Sequence, residues 1–165
     1  GRAGGSTRSQ TAGSVPANDP ALIGATMRVF LDANVLFSAA KSDGAVRALL
    51  RLLLDRRHDC CANAYVVAEA RRNLVAKGPE AVQVLDALLS HLQVAPALAG
   101  EVDAVELDWL PPKDRPVLAA AIRERCDALV TADRKHLGSA YGLQFGGVAI
   151  HSPRSLAEAV LVSGH

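Results

Sequence analysis

Two short apolar runs in this chain each climb into an aspartate, and that repetition constrains the fold more than any other feature. Met27-Arg-Val-Phe-Leu-Asp32 is followed two residues on by Asn34, and Asp127-Ala-Leu-Val130-Thr131-Ala-Asp133 comes late in the chain. Apolar runs of this length read as buried strands, and the acid marks where the backbone leaves the sheet. In an open parallel α/β sheet, ligands bind outside the carboxyl ends of the strands. Two strands that each deliver an aspartate to that edge predict a cluster of carboxylates in one place. Such a cluster repels itself, a cost usually met by a cation held between the acids.

The rest of the chain supplies the alternation that a parallel sheet needs. Gly44 to Arg57 carries Val46, Leu49, Leu50, Leu53 and Leu54 at helical spacing, with Arg47, Arg51 and Arg56 on the other side. His58 to Ala62 reads as a strand, and Asn63 as the N-cap of a helix through Tyr65, Glu69, Arg72 and Leu74 that Gly78-Pro79 stops. Glu80 to Leu92 reads as a further helix, Gln93 to Ala95 as a third strand, and Gly100 to Leu110 as a short helix. Pro111-Pro112 forces an extended approach to Lys113-Asp114, and Pro116 opens a helix running to Arg125. Ala128 to Val130 and Gly147 to Ile150 are the last strands, and Ser152-Pro153 begins a final helix through Leu161. Strands alternating with helices imply right-handed crossovers and a three-layer α/β/α domain with a mainly parallel central sheet. No internal repeat is visible.

Of 165 residues, 50% are hydrophobic, enough for one domain with a real core, and only 4% are aromatic, so that core is built of Ala, Leu and Val. A net charge of +1 neither demands nor excludes nucleic acid, so any basic footprint is local. No apolar stretch is long enough for a membrane span, and Gly1 to Thr26 has no signal-peptide h-region. That opening segment, rich in Gly, Ser, Thr, Ala and Pro, is expected to be a tail or leader (residues 1–26) before a domain over 27–165, with Met27 a candidate native start. A soluble cytoplasmic protein is the default expectation. Cys60, Cys61 and Cys126 show no C-x-x-C pair and no zinc spacing, which makes them buried, reduced thiols.

Four acids stand out by position. Asp32 and Asp133 end strands, Glu69 shares a helix face with Tyr65 and Arg72, and Asp114 precedes a helix just after the Pro-Pro turn. Helices that follow strands in such a sheet begin at its carboxyl edge, which places Glu69 and Asp114 to reach the point that Asp32 and Asp133 mark. Four hard oxygen donors, with no His or Cys among them, suit Mg²⁺ or Mn²⁺ rather than Zn²⁺.

Phe30-Leu-Asp32-Ala-Asn34-Val-Leu-Phe-Ser38 and Val67-Ala-Glu69-Ala-Arg71 resemble the first half of PIN domains. Lys113-Asp114-Arg-Pro-Val-Leu-Ala-Ala-Ala and Ala128-Leu-Val-Thr131-Ala-Asp133 resemble the second half, most closely in the bacterial toxin branch. The resemblance covers Met27 to about Leu161 and lies in four motifs taken in order. It implies a metal-dependent ribonuclease with Asp32, Glu69, Asp114 and Asp133 as its acidic quartet. Asp32 and Asp114 would be central ligands, Glu69 a ligand or water-positioning base, and Asp133 a supporting ligand. Asn34 and Thr131 would orient ligands or bind phosphate, and Ser38 would be a supporting hydroxyl rather than a nucleophile. The resemblance alone implies RNA as substrate, an inhibitory antitoxin protein as partner, and Mg²⁺ or Mn²⁺ as cofactor. Arg71, Arg72, Lys113, Arg115, Arg134 and Lys135 flank the acids in sequence and are candidates to hold RNA phosphates. The clustered Leu49, Leu50, Leu53 and Leu54 leave room for a homodimer face.

Each acid has a structural alternative. Asp32, Asp114 and Asp133 could serve only as helix caps, and Glu69 only as a solvated ion-pair partner. Asp103, Glu106 and Asp108 lack the strand-end placement and read as a solvated helix, with Asp108 a minor ligand candidate. Two other functions stay open on the residues alone. One is a non-catalytic PIN-like module that binds RNA or protein. The other is a phosphotransfer domain with Asp32 as covalent nucleophile, although a dehalogenase-like site would carry Asp where Asn34 stands.

Overall fold

The computed structural model describes residues 26–97, 107–112 and 114–163. Its elements are β1 (Arg28–Leu31), α1 (Ala33–Lys41), α2 (Ala45–Asp55), β2 (Asp59–Asn63), α3 (Ala64–Lys77), α4 (Val82–Leu89) and β3 (Gln93–Ala95). They continue with α5 (Arg115–Arg123), β4 (Ala128–Val130), α6 (Arg134–Leu137), β5 (Gln144–Phe145), β6 (Val148–His151) and α7 (Pro153–Ser163). The six strands form one sheet in the order β3-β2-β1-β4-β6-β5. All neighbours are parallel except β5, which runs antiparallel to β6. Helices flank the sheet, as the alternating pattern predicts: α1 packs on α3 and α4, and α2 packs on α7.

The strand order places the functional edge. From β1 the chain steps outward through β2 to β3, and then returns to lay β4 on the other side of β1. The carboxyl ends of β1 and β4 are therefore neighbours at the point where the winding reverses, which is where such sheets open a crevice. Register carries this to the residue: Leu31 pairs with Val130, and the Asp32 amide donates to the Val130 carbonyl at 3.1 Å. The opposite edge is clamped by Arg28, whose side chain bonds the Glu124 carbonyl (3.1 Å) and Gln93 Oε1 (3.0 Å), while its amide donates to Asp127 Oδ2 (2.8 Å).

Phe30, Leu31, Leu36, Leu50, Leu53, Leu74, Leu118 and Leu129 are fully buried, with alanines of α1 and α5 filling the narrow gaps to the sheet. Each such leucine contributes about 1.5–3 kcal/mol on leaving water, so the aromatic-poor core is still well supplied. Cys60, Cys61 and Cys126 are buried free thiols, and Cys61 and Cys126 share a hydrogen bond across β2 and the start of β4. His58 is a structural residue whose Nδ1 accepts from the Met27 amide at 3.0 Å. Asn63 caps α3 as its sequence suggests, its Oδ1 accepting from the Val66 amide at 3.0 Å.

Several sequence expectations need correction. The residues after Asp32 form α1, a helix not read from the sequence because only three residues separate its apolar run from that of the strand. The expected dimer face on α2 is not exposed: Leu49, Leu50 and Leu53 are buried in the core, and Leu54 is half-buried. Nor does the arginine side of α2 simply face water, since Arg47 bonds the Ala39 and Ala40 carbonyls at 2.7 and 3.1 Å and so closes the end of α1. The expected last strand is preceded by β5, making a hairpin through Gly146 and Gly147. The expected tail lies outside the described residues through residue 25, as does most of the expected helix over 100–110, of which 107–110 form a tight turn. Among the described residues no helix is long and apolar enough to cross a membrane.

Candidate active site

Asp32 leaves β1 buried and works with both oxygens. Its Oδ1 accepts from the Ala33 amide at 2.7 Å, which starts α1, and its Oδ2 accepts from the Thr131 hydroxyl at 2.8 Å. Thr131, fully buried at the end of β4, is the hub. Its Oγ1 accepts from Asn34 Nδ2 (3.3 Å) and from the Asp133 amide (3.1 Å), so its own proton goes to Asp32. The Asn34 side-chain oxygen in turn accepts from the Ala132 amide at 2.9 Å, and Tyr141 donates to the Thr131 carbonyl at 2.8 Å. The loops after β1 and β4 are thus stitched together by side chains as well as by the sheet.

The two remaining acids arrive from helices. Glu69 is half-buried on α3, and Asp114 is buried at the start of α5. Asp114 occupies the N-cap position of α5 but makes no side-chain cap bond, whereas Asp32 and Asp133 do cap their helices. Capping therefore accounts for part of what Asp32 and Asp133 do and for none of what the Asp114 carboxylate does. Burial first, and then the nearby Asp114 and Glu69 carboxylates, push the Asp32 carboxyl up to about 6, against the pull of Thr131 and the Ala33 amide. The Tyr65 phenol is also pushed up, by burial and then by Glu69, Asp114 and Asp32, which places it beside the same three acids.

A second grouping shares Asp114. One ligand atom each of Asp114, Asp133 and His136 lies within 4.8 Å of the other two. His136 was not a candidate on sequence grounds, although its position three residues after Asp133 on a short helix was the signal that could have found it. Its Nδ1 lies 3.0 Å from Asp133 Oδ2 and 3.9 Å from Asp114 Oδ2. Tyr141 was also missed, and nothing in its sequence context pointed to it.

Of the quartet, then, Glu69 and Asp114 both act electrostatically on Asp32, while Asp133 meets Asp114 through the His136 grouping. Asn34 and Thr131 bond each other, Thr131 also donates to Asp32, and Ser38 sits half-buried one turn after Asn34 on α1. The flanking cations do not assemble as a set. Arg71 pairs with Asp86 at 2.9 Å and lines an apolar groove with Arg72, Val67, Val75 and Val94. Arg115 turns back to the Leu110 and Asp108 carbonyls at 2.9 and 3.2 Å, which holds the 107–110 turn. Arg134 lies near Tyr141, Arg72 near Tyr65, Lys135 is exposed, and Lys113 lies outside the described residues. Asp108 is exposed and belongs to no ligand grouping among the described residues.

The donor set fits a hard divalent cation. Several carboxylates meet at one sheet edge, and burial, reinforced by the neighbouring Asp114 and Glu69, drives Asp32 toward its neutral form. Residues 28–135 match the family model described as the PIN domain. No curated protein matches the chain. Among solved structures, that of VapBC2 from Rickettsia felis bound to a promoter DNA fragment is 22% identical, with a TM-score of 0.57, over 76% of this chain and 98% of that one. Mycobacterium tuberculosis VapC20, described as a sarcin–ricin loop cleaving toxin, is 15% identical with a TM-score of 0.51, over 67% and 94%. FitAB bound to the IR36 DNA fragment is 19% identical with a TM-score of 0.51, over 76% and 94%. These likenesses are in fold.

Proposed function

The chain belongs to the PIN-domain family, and from that premise we propose that it is a divalent-metal-dependent ribonuclease, the toxin of a toxin–antitoxin pair. The observation that carries the reading is the convergence of Asp32, Glu69 and Asp114 at the β1–β4 switch point, with Asp133 and His136 against Asp114. Helix capping explains part of what Asp32 and Asp133 do, but Asp114 makes no side-chain cap bond to its own helix, so capping does not explain its place here. The resemblance to VapC20 and to the toxin-branch motifs supports RNA as the substrate, and the VapBC2 and FitAB likenesses support a partner protein that restrains the enzyme.

Asp32, Asp114 and Asp133 would hold the metal, with Glu69 as a further ligand or as the base that orients the attacking water. A bound Mg²⁺ or Mn²⁺ supplies Lewis-acid polarisation of the phosphodiester and makes a water more acidic. The protein does the rest. Thr131 fixes the Asp32 carboxylate by donating a hydrogen bond to Oδ2, and Asn34 locks Thr131. Glu69, half-buried on α3, would take a proton from water at its carboxylate, with Tyr65 beside the same acids. Arg72, Arg134 and Lys135 are the candidates for phosphate contacts; Arg71 and Arg115 are already engaged in the fold. The Ser38 hydroxyl supports the site from α1 and forms no covalent intermediate.

The test is cleavage of labelled structured and single-stranded RNAs with Mn²⁺ or Mg²⁺, against EDTA and against folded Asp32→Asn and Asp114→Asn proteins. Metal-dependent cutting that both variants lack is the expected result. Equal cutting by either purified variant would overturn the assignment, and a folded wild type that binds no divalent metal would favour a non-catalytic binding module.

A further inference from the structure

We infer that His136 is a metal ligand, its Nδ1 joining Asp114 and Asp133 in a mixed oxygen–nitrogen position that favours Mn²⁺ over Mg²⁺. The inference rests on the metal-dependent reading above and deepens it by naming which cation the site takes.

The geometry is specific. Asp133 divides its carboxylate between two jobs on α6: Oδ1 accepts from the His136 amide at 3.2 Å, and Oδ2 accepts from His136 Nδ1 at 3.0 Å, a bond whose proton a metal ion at Nδ1 would displace to solvent. One residue thus fixes both the backbone and the ring of His136, and the ring nitrogen also faces Asp114 Oδ2, 3.9 Å away. Two donors on one octahedral cation with bonds of ~2.1 Å stand ~3.0 Å apart when adjacent and ~4.2 Å when opposite. The 3.0 Å to Asp133, a hydrogen bond in the metal-free protein, is also the spacing of an adjacent pair. The 3.9 Å to Asp114 is shorter than an opposite pair and longer than an adjacent one, so the ring need shift by less than ~1 Å to take either place.

The chemistry of the third donor sets the preference. Mg²⁺ takes oxygen almost exclusively and keeps its waters, whereas Mn²⁺ shares its liking for carboxylates but, as a first-row transition ion, also accepts an imidazole, so a nitrogen donor shifts the balance from Mg²⁺ toward Mn²⁺. Asp114 is shared between this triangle and the Asp32–Glu69 side of the site, so a nitrogen-bearing position lies inside the reaction centre rather than apart from it. A surface histidine that merely pairs with a helix acid would face one carboxylate; His136 faces two from different elements.

The experiment is pulsed EPR on the full chain loaded with Mn²⁺. In the wild type the electron spin echo is expected to show ¹⁴N modulation, which changes to the ¹⁵N pattern when the protein is grown with ¹⁵N-histidine. The chain has five histidines, and loss of the modulation in His136→Ala assigns it. Titration of the same proteins should show Mn²⁺ affinity falling by roughly tenfold or more in the variant, the scale on which even the partners of ligands act. Mg²⁺ affinity should change far less. Mn²⁺ bound to wild type without nitrogen modulation overturns the inference and leaves the nuclease reading standing. Modulation that survives in His136→Ala does the same. A folded wild type that binds no Mn²⁺ overturns both. Where His136→Ala fails to fold, His136→Gln, which keeps a polar side chain of similar length, takes its place with the same two outcomes.

Discussion

The Thr131 hydroxyl donates to Asp32 Oδ2 at 2.8 Å, joining two residues 99 apart in sequence at the ends of adjacent strands. Because Oγ1 already accepts from Asn34 and from the Asp133 amide, the direction of that bond is set. Thr131→Val keeps the shape and removes the hydroxyl, so Asp32 and Asp133 lose a common anchor. Metal-dependent cleavage is expected to fall about 10–100-fold, as for other groups that orient metal ligands. Thr131→Ser should restore most of it. Rates measured beside circular dichroism spectra check this; an unchanged rate in Thr131→Val would show the contact to be idle.

In metal-free protein the Asp32 carboxyl is raised from 3.8 to about 6, chiefly by burial. A raised carboxyl binds its proton more tightly in the folded state, so its contribution is fully present below the unfolded value. It is lost as pH rises from about 4 through about 6. Melting temperatures of EDTA-treated protein should therefore fall across that window by more in wild type than in Asp32→Asn. Added Mn²⁺ should raise the wild-type melting temperature most above pH 6. Parallel pH curves for the two proteins would remove this account of Asp32.

Arg115 and Arg71 are expected to behave as structural residues rather than as RNA clamps. Arg115→Ala leaves the Leu110 and Asp108 carbonyls without their charged donor, at a cost of roughly 1.5–3 kcal/mol. Arg71→Ala breaks an exposed pair with Asp86, which costs about 0–1 kcal/mol. Urea unfolding with RNA binding measured alongside separates the two possibilities. A large loss of RNA affinity in folded Arg71→Ala would return it to the interface.

Gly146 and Gly147 both have positive φ, +57° and +84°, and form the two-residue turn of the β5–β6 hairpin. A Cβ on Gly146 would stand 2.9 Å from Ile122 Cδ1, while one on Gly147 meets nothing within 4 Å. Gly146→Ala should cost the ~1–2 kcal/mol of a left-handed alanine and, in addition, a shift of Ile122. Gly147→Ala should carry only the conformational part. Equal destabilisation of the two in chemical unfolding would discount the Ile122 contact.

Asp32 and Asp133 were legible because both sit where an apolar run stops, and a strand end is written locally. Asn63 was legible for the same reason, as a capping residue ahead of a helical pattern. Helix α1 was not, because only Asp32-Ala-Asn34 separates the apolar run of β1 from Val35, Leu36 and Phe37, too little to show where one period ends and the other begins. The Gly146-Gly147 turn carried a hairpin signal, but β5 is only two residues long and too short to show a period. The leucines of α2 read as a surplus apolar face because the sequence does not show that α7 comes back to cover them.

By itself the sequence determined the alternation of strands and helices, the parallel sheet it implies, and four acids placed to reach one edge. Those properties depend on local periodicity and on where each run ends, which neighbours along the chain decide. Tertiary structure alone decided that Thr131 serves Asp32, that His136 faces Asp114 as well as Asp133, and that Arg71 and Arg115 turn away from the acids. Each of these depends on the β1–β4 register and on helix packing, and so on contacts between residues far apart in the chain. The same residue types in the same order would have been compatible with other pairings until the winding reversed between β1 and β4 and brought two strand ends side by side.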